Sequence, residues 1–300
     1  TAYEIRPRDW SSDVCSSDAI LVESPSAPAS EGLRMIERPA VRSNISPLKP
    51  IYGGRLATVS FDCEMKGSGA AGTAPEIDAL LRACGFASTV VASTSVTYNP
   101  ASTGHESCTI YYYIDGTLHK LTGCRGTVTF ALETGSKAMA SLTMTGHVTN
   151  PTDTAIVTPT YDSTVPAPLI NVPFAVGAYS AVISSLNFDM GTTISTPPDI
   201  SAVDGYGEAR ITAYAPTGSF DPENVLIATN DFYADFIAGT SRALTTGAIG
   251  GTAGNKVQFD MPAIVYTDVS HADRDGVATL ETPFAAVDSA GDDFVSIAYT

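Results

Sequence analysis

Three hundred residues with 32 acidic and 16 basic side chains give a formal net charge of −16, with 44% hydrophobic and only 16% charged residues. A chain of this length and apolar content buries a normal core, as one large all-β domain or two smaller ones. The acidic balance argues against a surface that grips nucleic acid, which needs clustered Lys and Arg, and no run is long and apolar enough to span a membrane as a helix.

Residues 1–18 stand apart. Asp9 to Asp18, DWSSDVCSSD, looks like the translation of a sequencing adapter and holds the only tryptophan, Trp10, together with Cys15. This stretch is read as a sequence artefact with no functional residue in it. Residues 19–50 are Pro- and Ser-rich with scattered Arg34, Arg38 and Arg42, and read as an extended docking arm whose basic residues suit an acidic neighbour. A strand is predicted from Arg55 to Lys66, with Val59, Phe61, Cys63 and Met65 on one face. After a Gly-rich loop, Thr73 and Glu76 have capping-box spacing, and Ile77, Leu80, Leu81 and Cys84 make the apolar stripe of a short helix stopped by Gly85.

Val90 to Tyr98 leads into the most regular stretch, His105 to Val148. Cys108, Ile110, Tyr112 and Ile114 alternate with Thr109, Tyr111 and Tyr113, and Asp115-Gly116 supplies a two-residue hairpin turn. Gly123 and Gly126 read as turns, Val128, Phe130 and Leu132 as a further strand, and Leu142, Met144 and Val148 as the next. Prolines through 151–175 mark a linker. The second half is expected to bring strands at Leu186–Met190 and Ile211–Ala215, and a helical stretch opened by Asp221-Pro222 and striped by Phe232, Phe236 and Ile237. A strand at Val257–Met261 broken by Pro262 follows, then Val277–Val287 and Val295–Tyr299. Both halves follow the order strand, loop, helix closed by Gly, paired strands. The chain therefore reads as mainly β, a β-sandwich or barrel with short flanking helices in two tandem copies, 51–150 and 176–300.

No catalytic, cofactor-binding or metal-ligating residue is assigned. The four histidines, His105, His119, His147 and His271, lack metal-motif spacing. His119 and Cys124 share a hairpin, but a polar strand residue and a buried thiol explain them better. Asp273, Asp275 and Gly276 distantly resemble a calcium loop without its oxygen spacing and read as a solvated hairpin tip. Gly67-Ser68-Gly69 lacks a nucleophile elbow, and Gly247 to Gly254 lacks the lysine and helix of a phosphate loop. Five cysteines without CxxC spacing point to buried free thiols and, with no export signal at the start of the chain, to a reducing compartment.

Three stretches carry a resemblance to a known family: GSGAAGTAPEIDALLRACGF at 67–86, VTYNPASTGHESCTIYYYIDGTLHKLTGCRGTVTF at 96–130 and PTDTAIVTPTYDS at 151–163. ARITAYAPTGSFDPE at 209–223 and GGTAGNKVQFDMPA at 250–263 agree more loosely. From about Ala19 the chain resembles the tail tube (major tail) protein of long-tailed bacteriophages. The resemblance implies a non-enzymatic virion protein, assembled in the bacterial cytoplasm, whose trimeric or hexameric rings stack into a hollow tube. It implies partners at the tail tip, tape measure and terminator, and double-stranded DNA passing through the lumen without specific binding. A carbohydrate-binding or adhesin-like sandwich is the alternative, with Tyr111 and Tyr113 as its aromatic platform.

Overall fold

The longest strand runs from Thr117 to Glu133, and most of the molecule is arranged along it. The structure, a computed structural model, describes residues 5–6, 19–156 and 158–300. The reading of residues 1–18 as an artefact, Trp10 and Cys15 included, lies outside the described residues apart from the backbone of Ile5–Arg6.

In chain order the first half contains β1 (Ile5–Arg6), β2 (Val22–Glu23), β3 (Ala29–Glu31) and a small hairpin, β4 (Met35–Ile36) with β5 (Ile51–Tyr52). There follow β6 (Leu56–Glu64), α1 (Asp78–Ala83), β7 (Phe86–Val91), β8 (Ser95–Pro100), β9 (Cys108–Ile114), β10 (Thr117–Glu133), β11 (Met139–Val148) and β12 (Thr152–Asp153). The alternation of β6 works as expected: Val59, Phe61 and Cys63 are buried while Thr58, Ser60 and Asp62 point away from the core. The stripe Ile77, Leu80, Leu81 and Cys84 is buried throughout, and Gly85 follows at φ +101°. The capping box does not form. The helix starts at Asp78 without a side-chain cap, because Glu76 is drawn to the buried Lys66 ammonium 3.1 Å away and also accepts from the Leu21 N–H. A buried charge needs its counter-charge more than a helix end needs a cap.

Val90 to Tyr98 contains a reversal through Ser93 at φ +56°, which pairs β7 with β8. Asp115-Gly116 makes the expected turn, with both residues at positive φ. Gly123 and Gly126 do not turn the chain. β10 continues through a bulge, between Thr122 and Arg125 against β11 and between Leu121 and Cys124 against β9, and its first half pairs with β9 and its second half with β15. At Gly126 a Cβ would lie 2.2 Å from the Thr143 carbonyl oxygen, so glycine serves close strand approach there.

The second half contains β13 (Phe174–Val176), β14 (Tyr179–Ser180), β15 (Ser185–Asp189), β16 (Thr193–Ser195), β17 (Arg210–Ala213), β18 (Thr217–Phe220), α2 (Phe232–Ala238) and β19 (Arg242–Thr246). It closes with β20 (Val257–Tyr266), β21 (Ser270–Arg274), β22 (Val277–Ala286) and β23 (Ser296–Tyr299). Asp221-Pro222 opens no helix; α2 begins after Asp231, whose carboxylate accepts from the Ala234 N–H at 2.9 Å. Ile237 lies outside the buried stripe, and Ala213 and Ala215 are exposed because β17 pairs only with β16. Pro262 does not break its strand. β20 runs through it at a register shift against β19, where a missing N–H costs no ladder bond.

Antiparallel pairing runs β6–β11–β10–β15–β18–β22–β20–β23–β8–β7, so strands from both halves form one sheet. One hydrophobic core lies against it. Phe130 from β10 stacks on Phe188 of β15, with centroids 6.4 Å apart, and meets Phe259 of β20 edge-on at 5.3 Å. Within the sheet two units share one plan. β6–β11–β10–β9 has α1 between its first and second strands in sequence, and β18–β22–β20–β19 has α2 in the same place.

Candidate functional surfaces

Strand alternation leaves the sheet one face turned away from the core, and its composition is unusual. β6, β11, β15, β18, β22, β20, β23 and β8 contain no Lys or Arg at any position, and β10 carries Lys120 and Arg125 in its first half and none from Gly126 onward. Ser, Thr and Asn dominate instead: Thr58, Ser60, Thr127, Thr129, Ser141, Thr143, Thr145, Asn187 and Ser219. Asp62, Asp189 and Asp260 supply negative charge. Neighbouring hydroxyls bond each other across the β6–β11 ladder, Thr58 to Thr145 and Ser60 to Thr143, both at 3.0 Å.

The second surface is the β4–β5 arm. Its strands pair only through Met35–Tyr52 and Ile36–Ile51, and the loop between them leaves Val41 and Ile45 fully exposed. Arg42 organises that loop by donating to the Ser46 carbonyl at 2.6 Å. The root of the arm is held by the loop 199–206 of the second half. The Arg34 guanidinium lies 3.9 Å over the Tyr206 ring and donates to the Gly205 carbonyl at 3.0 Å, while the Tyr206 hydroxyl donates to the Gly32 carbonyl. Beside them His147 Nδ1 meets the Asp204 carboxylate at 2.5 Å, and Gly54 passes so close to the Asp204 carbonyl that a Cβ would stand 1.7 Å away.

The residues weighed for chemistry are dispersed. His105 bonds the Ala101 carbonyl and the Tyr214 hydroxyl, and His271 meets the Tyr233 hydroxyl. His119 sits opposite Tyr112 in the ladder and Cys124 opposite Cys108, so the two do not converge. Among the described residues no three His, Cys, Asp or Glu side chains gather as a metal site. Cys63, Cys84, Cys108 and Cys124 are buried, and burial holds the thiols of Cys63, Cys84 and Cys124 well above the ordinary range, which makes poor nucleophiles. Ser68 donates to the carbonyls of Ala70 and Thr73. Asp273 accepts from the Gly276 N–H in a hairpin tip, as expected of a solvated turn. Tyr113 is buried, so it and Tyr111 do not make an exposed two-ring platform.

The surfaces that stand out are thus a base-poor β-sheet face and an exposed arm. A family model for the phage tail tube protein matches residues 20–300. The chain belongs to this family. No curated protein matches it. As a tail tube protein it is a structural component of the phage tail, and its mainly β fold agrees with the expectation from sequence. No helix among the described residues is long and apolar enough to cross a membrane. The base-free face escaped the sequence reading, which treated charge as a total. Counting Lys and Arg strand by strand was the signal that would have found it.

Proposed function

We propose that this tail tube protein assembles in the host cytoplasm into rings that stack into a hollow tube, and that its base-free sheet face lines the lumen through which DNA leaves. The observation carrying this reading is the lack of Lys and Arg over nine hydrogen-bonded strands, bar one end of β10. Duplex DNA carries a phosphate charge every ~1.7 Å, and each cation met along the wall adds a counterion-releasing contact that holds it. A wall of hydroxyls and carboxylates offers no such contact, and its field repels the passing phosphates.

The matching strand orders of β6–β11–β10–β9 and β18–β22–β20–β19 support two tandem tube-type copies, 51–150 and 176–300, joined by 151–175. A ring of three such chains presents six quasi-equivalent units. With a chain mass of 31.2 kDa, a trimer ring weighs about 94 kDa and a hexamer about 187 kDa. Light scattering with negative-stain microscopy of the purified protein decides between them. A monomer that stays dispersed even on a supplied tail tip refutes ring assembly. For the lumen, Asp62→Lys combined with Asn187→Lys is expected to leave tubes intact and to slow DNA ejection from assembled particles. Ejection at the wild-type rate in such tubes removes the electrostatic assignment.

A further inference from the structure

The β4–β5 arm and the sheet end remote from it carry opposite charge. At one end lies the arm, since Leu56 of β6 is paired with Glu31 and His147 beside the arm root. Arg34, Arg38, Arg42 and Lys49 oppose the single Glu37 there. Arg34 and Arg42 are used in holding the arm together, whereas Arg38 and Lys49 are exposed and form no ion pair among the described residues. At the other end the ladder runs from Glu64 through Met139, Ala131 and Glu133 to Ser185, and from Leu186 through Phe220 to Thr282. Along it Glu23 and Glu64 share Lys137, and Asp221 and Glu223 share Arg274. Glu133, Glu281, Asp273 and Asp275 are exposed there and form no ion pair among the described residues.

We infer that the β4–β5 arm of one copy docks on this carboxylate-bearing end of a second copy. The inference rests on the tube reading and names the contact that would stack its subunits. The arm cannot serve its own chain, because the nine residues of β6 alone set its root ~27 Å from that end at ~3.4 Å per residue. The charges match in sign, with Arg38 and Lys49 opposite Glu133 and Glu281. Val41 and Ile45, fully exposed in the free chain, gain a surface to bury against. Because the two surfaces differ, the contact is head-to-tail, and repeated from ring to ring it gives growth along one axis. Opposite-charge contacts of this kind weaken as salt shortens the screening length to below ~8 Å.

The test is Arg38→Glu with Lys49→Glu in the full chain, compared with wild type by microscopy and ring mass. Both side chains are exposed, so an unchanged urea midpoint establishes that folding is intact. Rings of wild-type mass that fail to stack at concentrations where wild type forms tubes are the expected result. Glu133→Lys with Glu281→Lys is expected to block stacking in the same way, and mixing the two variants to restore it across the reversed contact. Arm-reversed protein that forms tubes as wild type does overturns the inference and leaves the tube reading standing. Two blocked variants whose mixture stays as rings overturn the pairing. Wild-type chains that form no rings overturn the tube reading itself, and this inference with it.

Discussion

Removing the Phe259 ring should open the first half of the molecule, although Phe259 belongs to the second. Its side chain is 1% exposed and meets Phe130 edge-on at 5.3 Å, within a core to which both halves contribute. Phe259→Ala loses the transfer free energy of the ring and leaves a cavity between strands that cannot collapse without pulling the sheet apart, at a cost of about 3–5 kcal/mol. Cys84 and Cys124, both fully buried in the first half, supply the readout. In moderate urea, where labelling requires global opening, their rate of modification tracks the open population. A loss of that size raises it about a hundredfold to a few thousandfold, since 1.4 kcal/mol is about a factor of ten. Site-resolved mass spectrometry separates these thiols from Cys15. Should second-half amides exchange faster while Cys84 and Cys124 label at the wild-type rate, the halves unfold independently and the shared-core argument fails.

Asp221 gives a pH-dependent prediction. Burial pushes its carboxyl up, but the Ser184 hydroxyl, the N–H groups of Ser184 and Ser185 and the Arg274 guanidinium outweigh that and hold it below the ordinary value of 3.8. A depressed folded value means stability that is present above about pH 4 and lost as pH falls through the folded value. Asp221→Asn should therefore lower the urea midpoint at pH 7 and differ little from wild type near pH 2; an equal deficit at both would show that charge is not involved. Gly126→Ala places a methyl 2.2 Å from the Thr143 carbonyl and 2.5 Å from Met144 Sδ, and should destabilise by about 1–3 kcal/mol in urea titration. Gly251→Ala, with no atom within 4 Å, is its control and should be neutral.

Local signals were legible in the sequence where one physical effect acted alone. Two-fold alternation named the buried residues of β6 and, as far as Tyr112, of β9, where Tyr113 is buried against the pattern, and Asp115-Gly116 named its turn. The helical spacing of Ile77, Leu80, Leu81 and Cys84 named the face of α1 that meets the core. Reading failed where a tertiary partner outbid the local preference. Glu76 abandoned its cap for Lys66, and Pro262 was absorbed by a bulge that only the neighbouring strand defines. Asp221 anchors Ser184, just before β15, and Arg274 of β21 rather than opening a helix. The candidate surfaces were half legible. The basic arm stood out by composition, but the base-free face appears only when strands far apart in sequence are laid side by side.

The hydroxyl ladder between β6 and β11 has one more consequence. Two neighbouring alcohols hold two O–H protons and four lone pairs; one mutual bond consumes one of each, so free acceptors outnumber free donors three to one. In the Thr58–Thr145 and Ser60–Thr143 pairs the surface is thus short of protons to offer. On the proposed assignment of this face to the lumen, a phosphate oxygen, itself only an acceptor, finds few places to bond directly and keeps its water. Hydration would then lubricate the wall, and this property would depend on hydroxyl pairing as well as on charge.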